Sequence, residues 1–288
     1  MAEARDVVYA RLLGGAGNQL FQYAAGRALA DRLDCDLMLD TRYIKGSDTR
    51  GDCFGHFAQA RFRLDAPLPP AKSGGILRYG IWRALGRSPR IYRERGLGFD
   101  PALLLKPKGT YLHGYWQSEH YFSNIAAQIR TDLAFTTPLD AENADMAAQI
   151  ADAPCPVAVH VRRGDYVALG NYAACTPEYY RAAAREIARR TGQTITCFVF
   201  SNDPEWARTH LALGFDSVVV DLNDETRGHY DMALMARCAH NVIANSTFSW
   251  WAAWLNASPE KIVIAPKAWF TKPALENPDL IPPAWLCL

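Results

Sequence analysis

A chain of 288 residues, 49% of them hydrophobic, is that of a globular protein with room for two compact lobes or one large α/β domain. Its 31 basic and 30 acidic residues nearly cancel, which removes the broad cationic field that tracking along nucleic acid requires. Seven cysteines without a C-x-x-C pair support neither a zinc site nor a disulfide framework, and they fit a reducing compartment.

Residues 7–13 predict a strand that runs straight into GGAGNQLFQYA at 14–24, whose second part opens a helix reaching about residue 30 with Leu20, Phe21, Tyr23, Ala24, Ala28 and Leu29 on its apolar face. Gly15 and Gly17 let the first turn approach a ligand, and a strand, a glycine turn and a helix N-terminus together offer backbone N–H groups to an anion. Asn18 and Gln19 reach such a ligand laterally, with helix capping as their alternative use. Neither G-x-G-x-x-G nor the P-loop spacing is met, which argues against a dinucleotide oxidoreductase and a P-loop ATPase. Residues 35–39 predict the second strand. The D-x-D of Asp34 and Asp36 sits at that helix-to-strand junction and is rejected as a metal site, since hard cations need several converging oxygens.

Residues 41–109 are rich in Gly, Pro and Arg and predict loops and short helices over a cleft. A strand returns at 109–116, and Ser118 caps a helix beginning near 117. Tyr115, Trp116 and Gln117 then end a strand at a crevice, where aromatic faces and an amide suit a sugar; core packing of Tyr115 and Trp116 is the competing reading. A polar helix over 140–151 lies in the passage between two halves, giving units 1–150 and 151–288.

The second half opens on the β-branched run Val157, Ala158, Val159, Val161, a strand buried in a parallel sheet that delivers Arg162 and Arg163 at its carboxyl end. Two planar, permanently charged forks there point to a phosphorylated ligand, the alternative being surface ion pairs. Thr176 caps a helix over 176–191; strands follow at 194–200, ending in Ser201 and Asp203, and at 217–221, ending in Asp221. Residues 227–240 have helical spacing, 241–244 form a short strand, and 245–255 a turn and helix whose start carries three hydroxyls, Ser246, Thr247 and Ser249. One hydroxyl suffices for a cap, so three favour a second phosphate contact. A last strand is expected at 261–265. The repeated strand, polar loop and helix imply parallel sheets wound by helices, arranged as two Rossmann-like domains across a cleft.

Taken together, GGAGNQLFQYA at 14–24, HVRRGDY at 160–166 and NSTFSWW at 245–251 resemble glycosyltransferase family 11, the α-1,2-fucosyltransferases; GYWQSE at 114–119 and FSND at 200–203 are similar in the family's order. The resemblance implies the glycosyltransferase B fold and inverting transfer of L-fucose from GDP-fucose to the 2-hydroxyl of a terminal galactose on a glycan acceptor, with no metal or other cofactor. It further implies that Arg162 holds the β-phosphate, that Arg163 and His160 lie close to the nucleotide, that Asn18 reaches the phosphates from the N-terminal domain, and that Asn245, Ser246, Thr247, Phe248 and Ser249 line the pyrophosphate. Guanine needs a carboxylate, for which Asp203 and Asp221 are the candidates. A base for the attacking hydroxyl is sought among Asp165, His160 and Glu119, with orientation of the arginines as the other use of Asp165. A different linkage, another GDP-sugar or a non-catalytic glycan-binding module are the remaining readings. An adhesion role for the Arg163–Asp165 tripeptide fails because it leaves a buried strand. Without a signal peptide or long apolar span, the expected location is cytoplasmic, with at most peripheral contact with a membrane face.

Overall fold

The structure is a computed structural model that describes residues 7–44, 56–57, 90–163, 175–272 and 275–288, and the backbone of 62–63. By contacts the chain divides into two units, Met1–Ala134 with Asn277–Leu280, and Phe135–Glu276 with Ile281–Leu288.

The first unit holds a five-stranded parallel sheet in the order β3-β2-β1-β5-β4. Its strands are β1 (Val7–Arg11), β2 (Asp36–Asp40), β3 (Phe62–Arg63), β4 (Arg90–Arg93) and β5 (Thr110–His113). Helix α1 (Ala16–Arg32) returns from β1 to β2, and α2 (Ala126–Asp132) closes the unit. Strand alternation puts Val7, Tyr9, Met38 and Tyr111 together on one face. On the other, α1 comes so close that a Cβ on Gly26 would lie 3.0 Å from the Cβ of Ala10 and 2.8 Å from Leu37. Buried Asp132 ties α2 to α1, accepting from Tyr23 at 2.8 Å and from Arg27 at 3.0 Å.

The second unit is a six-stranded parallel sheet in the order β11-β10-β9-β6-β7-β8. It comprises α3 (Ala141–Asp152), β6 (Pro156–Val161), α4 (Pro177–Thr191), β7 (Thr196–Ser201), α5 (Pro204–His210), β8 (Asp216–Val220), α6 (Gly228–Met235), β9 (His240–Val242), α7 (Thr247–Leu255), β10 (Val263–Ala265) and β11 (Leu286–Cys287). Val157, Val159 and Val161 pack with Tyr180, Ala183, Ala184 and Ile187 of α4, while the alternate residue His160 faces Phe248 of α7 at 5.6 Å. As expected, Thr176 caps α4, accepting from the N–H of Tyr179 ahead of Pro177.

Several boundaries differ from the sequence reading. The chain divides at Ala134/Phe135, and α3 goes with the second unit because Asn143 and Asn223 exchange amide hydrogen bonds of 3.1 and 2.9 Å and Arg227 pairs with Asp140. The helix expected over 227–240 stops at Met235, and His240 instead opens β9 and accepts from the N–H of Ile262 at 3.0 Å. The helix expected from residue 117 is first a 3₁₀ turn, Glu119–Tyr121, capped by Ser118 as predicted, and then a second one, Ser123–Ile125, before α2 begins. No helix among the described residues is long and apolar enough to cross a membrane.

Candidate functional site

In a parallel sheet every strand leaves by the same edge, so each unit gathers the polar residues of its loops along one rim. In the first unit that rim is built around the turn from β1 into α1. Gly14 takes φ +77°, a conformation costly for any residue with a Cβ, and Gly15 stands at the helix N-cap. Gly17 is buried in the first turn of α1. Gln19 does not face a ligand as expected: it is fully buried and its amide donates to the Gly14 carbonyl at 2.9 Å, holding the turn from within. Gln22 was missed by the sequence reading. Its amide accepts from the N–H of Leu13 at 2.9 Å and donates to the Gly114 carbonyl at 3.2 Å, joining the exits of β1 and β5. Asn18 lies beside the turn and accepts from Gln117 Nε2 at 2.8 Å.

Of the three residues assigned to a sugar at the end of β5, Tyr115 is 37% exposed but Trp116 is 1% exposed. The indole of Trp116 stacks on Tyr92 at 6.0 Å and meets Tyr121 edge-on at 5.8 Å, which corrects its assignment as an acceptor contact to core packing. Glu94 organises this loop, accepting from the N–H groups of Tyr115 at 2.7 Å and Trp116 at 2.8 Å. Burial raises its carboxyl above the ordinary carboxylate range, against the two N–H donors that favour the charged form. Beside it on the rim, Arg11 and His113 approach to 3.0 Å, with the Arg11 guanidinium 3.5 Å above Tyr43.

In the second unit Arg162 and Arg163 leave the end of β6 as expected. Asn202, at the exit of neighbouring β7, grips the Arg163 peptide on both sides, accepting from its N–H at 2.9 Å and donating to its carbonyl at 3.2 Å. The Arg163 guanidinium lies 3.9 Å over Trp206 and 3.9 Å from Asp203. Asp203 also caps α5 by accepting from the N–H of Trp206 at 3.1 Å, and Ser201 Oγ accepts from the N–H of Asp203 at 3.0 Å. Asp221 is exposed and pairs with Arg208 at 2.8 Å. Arg162 is mostly buried, 3.8 Å from Glu225 in the loop after β8.

His160 is buried, its Nδ1 lacks a hydrogen-bond partner, and burial together with the Arg162 charge lowers its pKa to about 3. A neutral imidazole of such weak basicity is unsuited to take a proton at neutral pH, which corrects its assignment as a catalytic base. Asp165 lies outside the described residues.

At the start of α7 the three hydroxyls part company. Ser246 stands at the N-cap without bonding the helix through its side chain, and Thr247 is half-buried beside it. Ser249 is fully buried and donates back to the Ser246 carbonyl at 3.1 Å, so it is a helix-internal hydroxyl instead of a phosphate contact. Asn245 is likewise committed to the fold, donating to the Trp269 carbonyl at 3.0 Å. Phe248 packs on His160 and would lie 3.6 Å from a Cβ on Gly228. One further carboxyl escaped the sequence reading: Asp231, on the first turn of α6, accepts from Asn223 at 2.7 Å, and burial raises its pKa to about 7. Its sequence neighbourhood shows only helical apolar spacing. Among the described residues, no group of three or more His, Cys, Asp or Glu side chains is placed to hold a metal ion.

The second rim thus joins two arginines, a helix N-terminus bearing Ser246 and Thr247, and the polar exit of β7, a donor set fitted to phosphate oxygens. Comparison with known proteins agrees. The sequence profile described as Glycosyl transferase family 11 matches residues 98–288. An Alpha-1,2-colitosyltransferase of Escherichia coli is 32% identical, with 98% of each chain covered. A Galactoside alpha-(1,2)-fucosyltransferase 1 of Ateles belzebuth is 29% identical over 84% of this chain and 63% of its own. Among solved structures, NodZ alpha-1,6-fucosyltransferase soaked with GDP-fucose shares the fold, with a TM-score of 0.54 at 15% identity over 90% of this chain and 95% of that one. With its profile match covering most of the chain and its relative spanning nearly all of it, this protein belongs to glycosyl transferase family 11.

Proposed function

We propose that the protein transfers L-fucose from GDP-fucose to the 2-hydroxyl of a terminal galactose, or a similar sugar, on a glycan acceptor, with inversion and without a metal. The observation that carries this reading is the pairing of Arg162 and Arg163, at the exit of β6, with the N-terminus of α7 on the same rim. Departure of GDP leaves negative charge on the β-phosphate, and donors fixed before the reaction stabilise it most effectively. Arg162 supplies a permanent positive charge, Ser246 and Thr247 supply hydroxyls at a helix N-terminus, and the Asn202 grip keeps the Arg163 peptide from drifting. Asn18 is a donor-phosphate contact, the acceptor sits on the rim of Tyr115, and Asp203 or Asp221 reads guanine. With His160 neutral, Asp165 and Glu119 are the candidates left to take the acceptor proton, and Asp165 is preferred for following the arginines in sequence. The place of action is the cytoplasm, with the protein at most peripheral to the membrane face.

Incubation with GDP-fucose, lactose and EDTA, followed by linkage analysis, tests this. An α-1,2-linked fucosyl product formed undiminished in EDTA is expected; absence of GDP release with any β-galactoside would leave a glycan-binding module, and ADP inhibiting as well as GDP would defeat the guanine-specific reading. A second reading, a colitosyl donor, draws on the 32% identical relative. Colitose is fucose without its 3-hydroxyl, so a site that hydrogen-bonds this hydroxyl rejects it and an apolar site does not. The ratio of kcat/KM for the two GDP-sugars decides between them.

A further inference from the structure

Gln117 is brought to Asn18 by an unusually constrained piece of backbone. Trp116 takes φ +56°, which only strong surrounding contacts maintain in a residue with a large side chain. Those contacts are present. Glu94 accepts from the two consecutive N–H groups of Tyr115 and Trp116, and the chain at Gly114 passes so close that a Cβ there would stand 2.4 Å from the Cβ of Glu94. The Trp116 ring is locked between Tyr92 and Tyr121. The next carbonyl, that of Gln117, accepts from Asn277 Nδ2 at 2.8 Å, in the segment Asn277–Leu280 that returns to this unit. Gln117 is therefore buried and fixed at its backbone before its side chain does anything.

Its side-chain amide then donates to Asn18 Oδ1 at 2.8 Å. A primary amide has one accepting and one donating end, so holding the oxygen also decides where the nitrogen goes. Asn18 Nδ2 lies over Gly14, 2.7 Å from the point a Cβ would occupy. A glycine at that position is thus required twice, by φ +77° and by the Asn18 amide above it.

We infer that Gln117 is a positioning residue for Asn18: it holds the carboxamide oxygen so that the NH2 group faces the Gly14 turn and presents a donor to the phosphates of the nucleotide sugar. This replaces the acceptor contact assigned to Gln117 from sequence, and it rests on the reading of Asn18 as a donor-substrate contact. Glu94 and Asn277 act one step further back, by fixing the backbone that carries Gln117.

Steady-state kinetics of the full chain with GDP-fucose and lactose, on Q117A, Q117E, N18A and the two double variants, test the inference. Q117A removes the donor to Asn18 Oδ1 and raises donor KM a few fold. Q117E inverts the pairing: its carboxylate accepts from Asn18, turns the NH2 inward and leaves a carbonyl oxygen facing the anion. The expected rise in donor KM is then about tenfold beyond Q117A, with acceptor KM unmoved. In the N18A background both substitutions at Gln117 lose their effect on donor KM. A rise confined to acceptor KM, or a Q117E effect that persists without Asn18, would overturn the inference. Should N18A itself leave donor KM unchanged, the assignment of Asn18 to the donor fails separately. The coupling is then read from melting temperatures: non-additive shifts in N18A/Q117A keep the positioning role, and additive shifts remove it. Melting curves of each single variant also reveal any that fail to fold.

Discussion

Arg162 and His160 stand two positions apart at the exit of one strand, yet burial treats them oppositely. The guanidinium keeps its charge in any protein environment, whereas the imidazole, pressed against Phe248 and next to that charge, gives its proton up. The first is therefore equipped to meet charge developing on the leaving phosphate and the second is part of the wall. Arg162→Ala is expected to lower kcat about a hundredfold, the roughly 3 kcal/mol typical of losing one such donor, with the melting temperature nearly unchanged. Retention of more than half of wild-type turnover would remove Arg162 from the mechanism. Arg163 depends on its neighbours more than on its own backbone: its guanidinium rests 3.9 Å over Trp206. Trp206→Ala removes that platform, and since such stacking contributes about 0.5 to 2 kcal/mol, GDP is expected to bind about two- to thirtyfold more weakly in calorimetry. Undiminished affinity would mean that the Asn202 grip and Asp203 hold Arg163 without the indole.

Helix α1 shows how one element joins the core to the rim. Its inner face is seated on the sheet at Gly26, and its first turn carries Asn18, so a shift at one end moves the other. Gly26→Val places a branched side chain against Ala10, whose Cβ has no freedom to yield. Overpacking of this kind costs about 1 to 3 kcal/mol, more than the few tenths gained in helix propensity. A lower denaturation midpoint is expected together with a raised donor KM; an unchanged midpoint would mean that α1 lifts off without cost. Elements buried on both faces were the legible ones: Val157 to Val161 reads as a strand because every position is apolar or small apart from His160. Strand β4, Arg-Ile-Tyr-Arg at the sheet edge, sets exposed Ile91 and part-buried Tyr92 between two exposed arginines and left no such mark, and β11 is two residues long. The helix expected over 227–240 overshot because the buried strand that follows continues the apolar pattern. At the rims, the arginines and the α7 hydroxyls announce themselves by residue type. Gln22, Asn202 and Glu94 do not, because their work is done on backbone groups 92, 39 and 22 residues away, pairings with no local pattern.

Across the whole molecule, burial of His160 and Asp231 in one unit makes opposite demands on acidity. His160 has an ordinary value of 6.5 and a folded value of about 3, so between these pH values the unfolded chain binds the extra proton and stability falls as pH falls. Asp231 has an ordinary value of 3.8 and a folded value of about 7, so across nearly the same window the folded chain binds the extra proton and stability falls as pH rises. Between pH 3.8 and 6.5 the two slopes oppose each other, and their sum hides both from the wild-type curve. Single substitutions separate them. Asp231→Asn keeps an acceptor for Asn223 and removes only the titration, so its melting temperature should climb relative to wild type as pH is raised from 4 to 6.5. His160→Phe keeps the ring against Phe248 and removes a nitrogen that has no partner, so its melting temperature should decline relative to wild type across the same range. The pair is best measured by thermal melts in one buffer series at constant ionic strength, because the test lies in the two curves diverging in opposite directions. Curves that run parallel to the wild type would show that neither group is held away from its ordinary protonation state, and would return His160 to the candidates for the base.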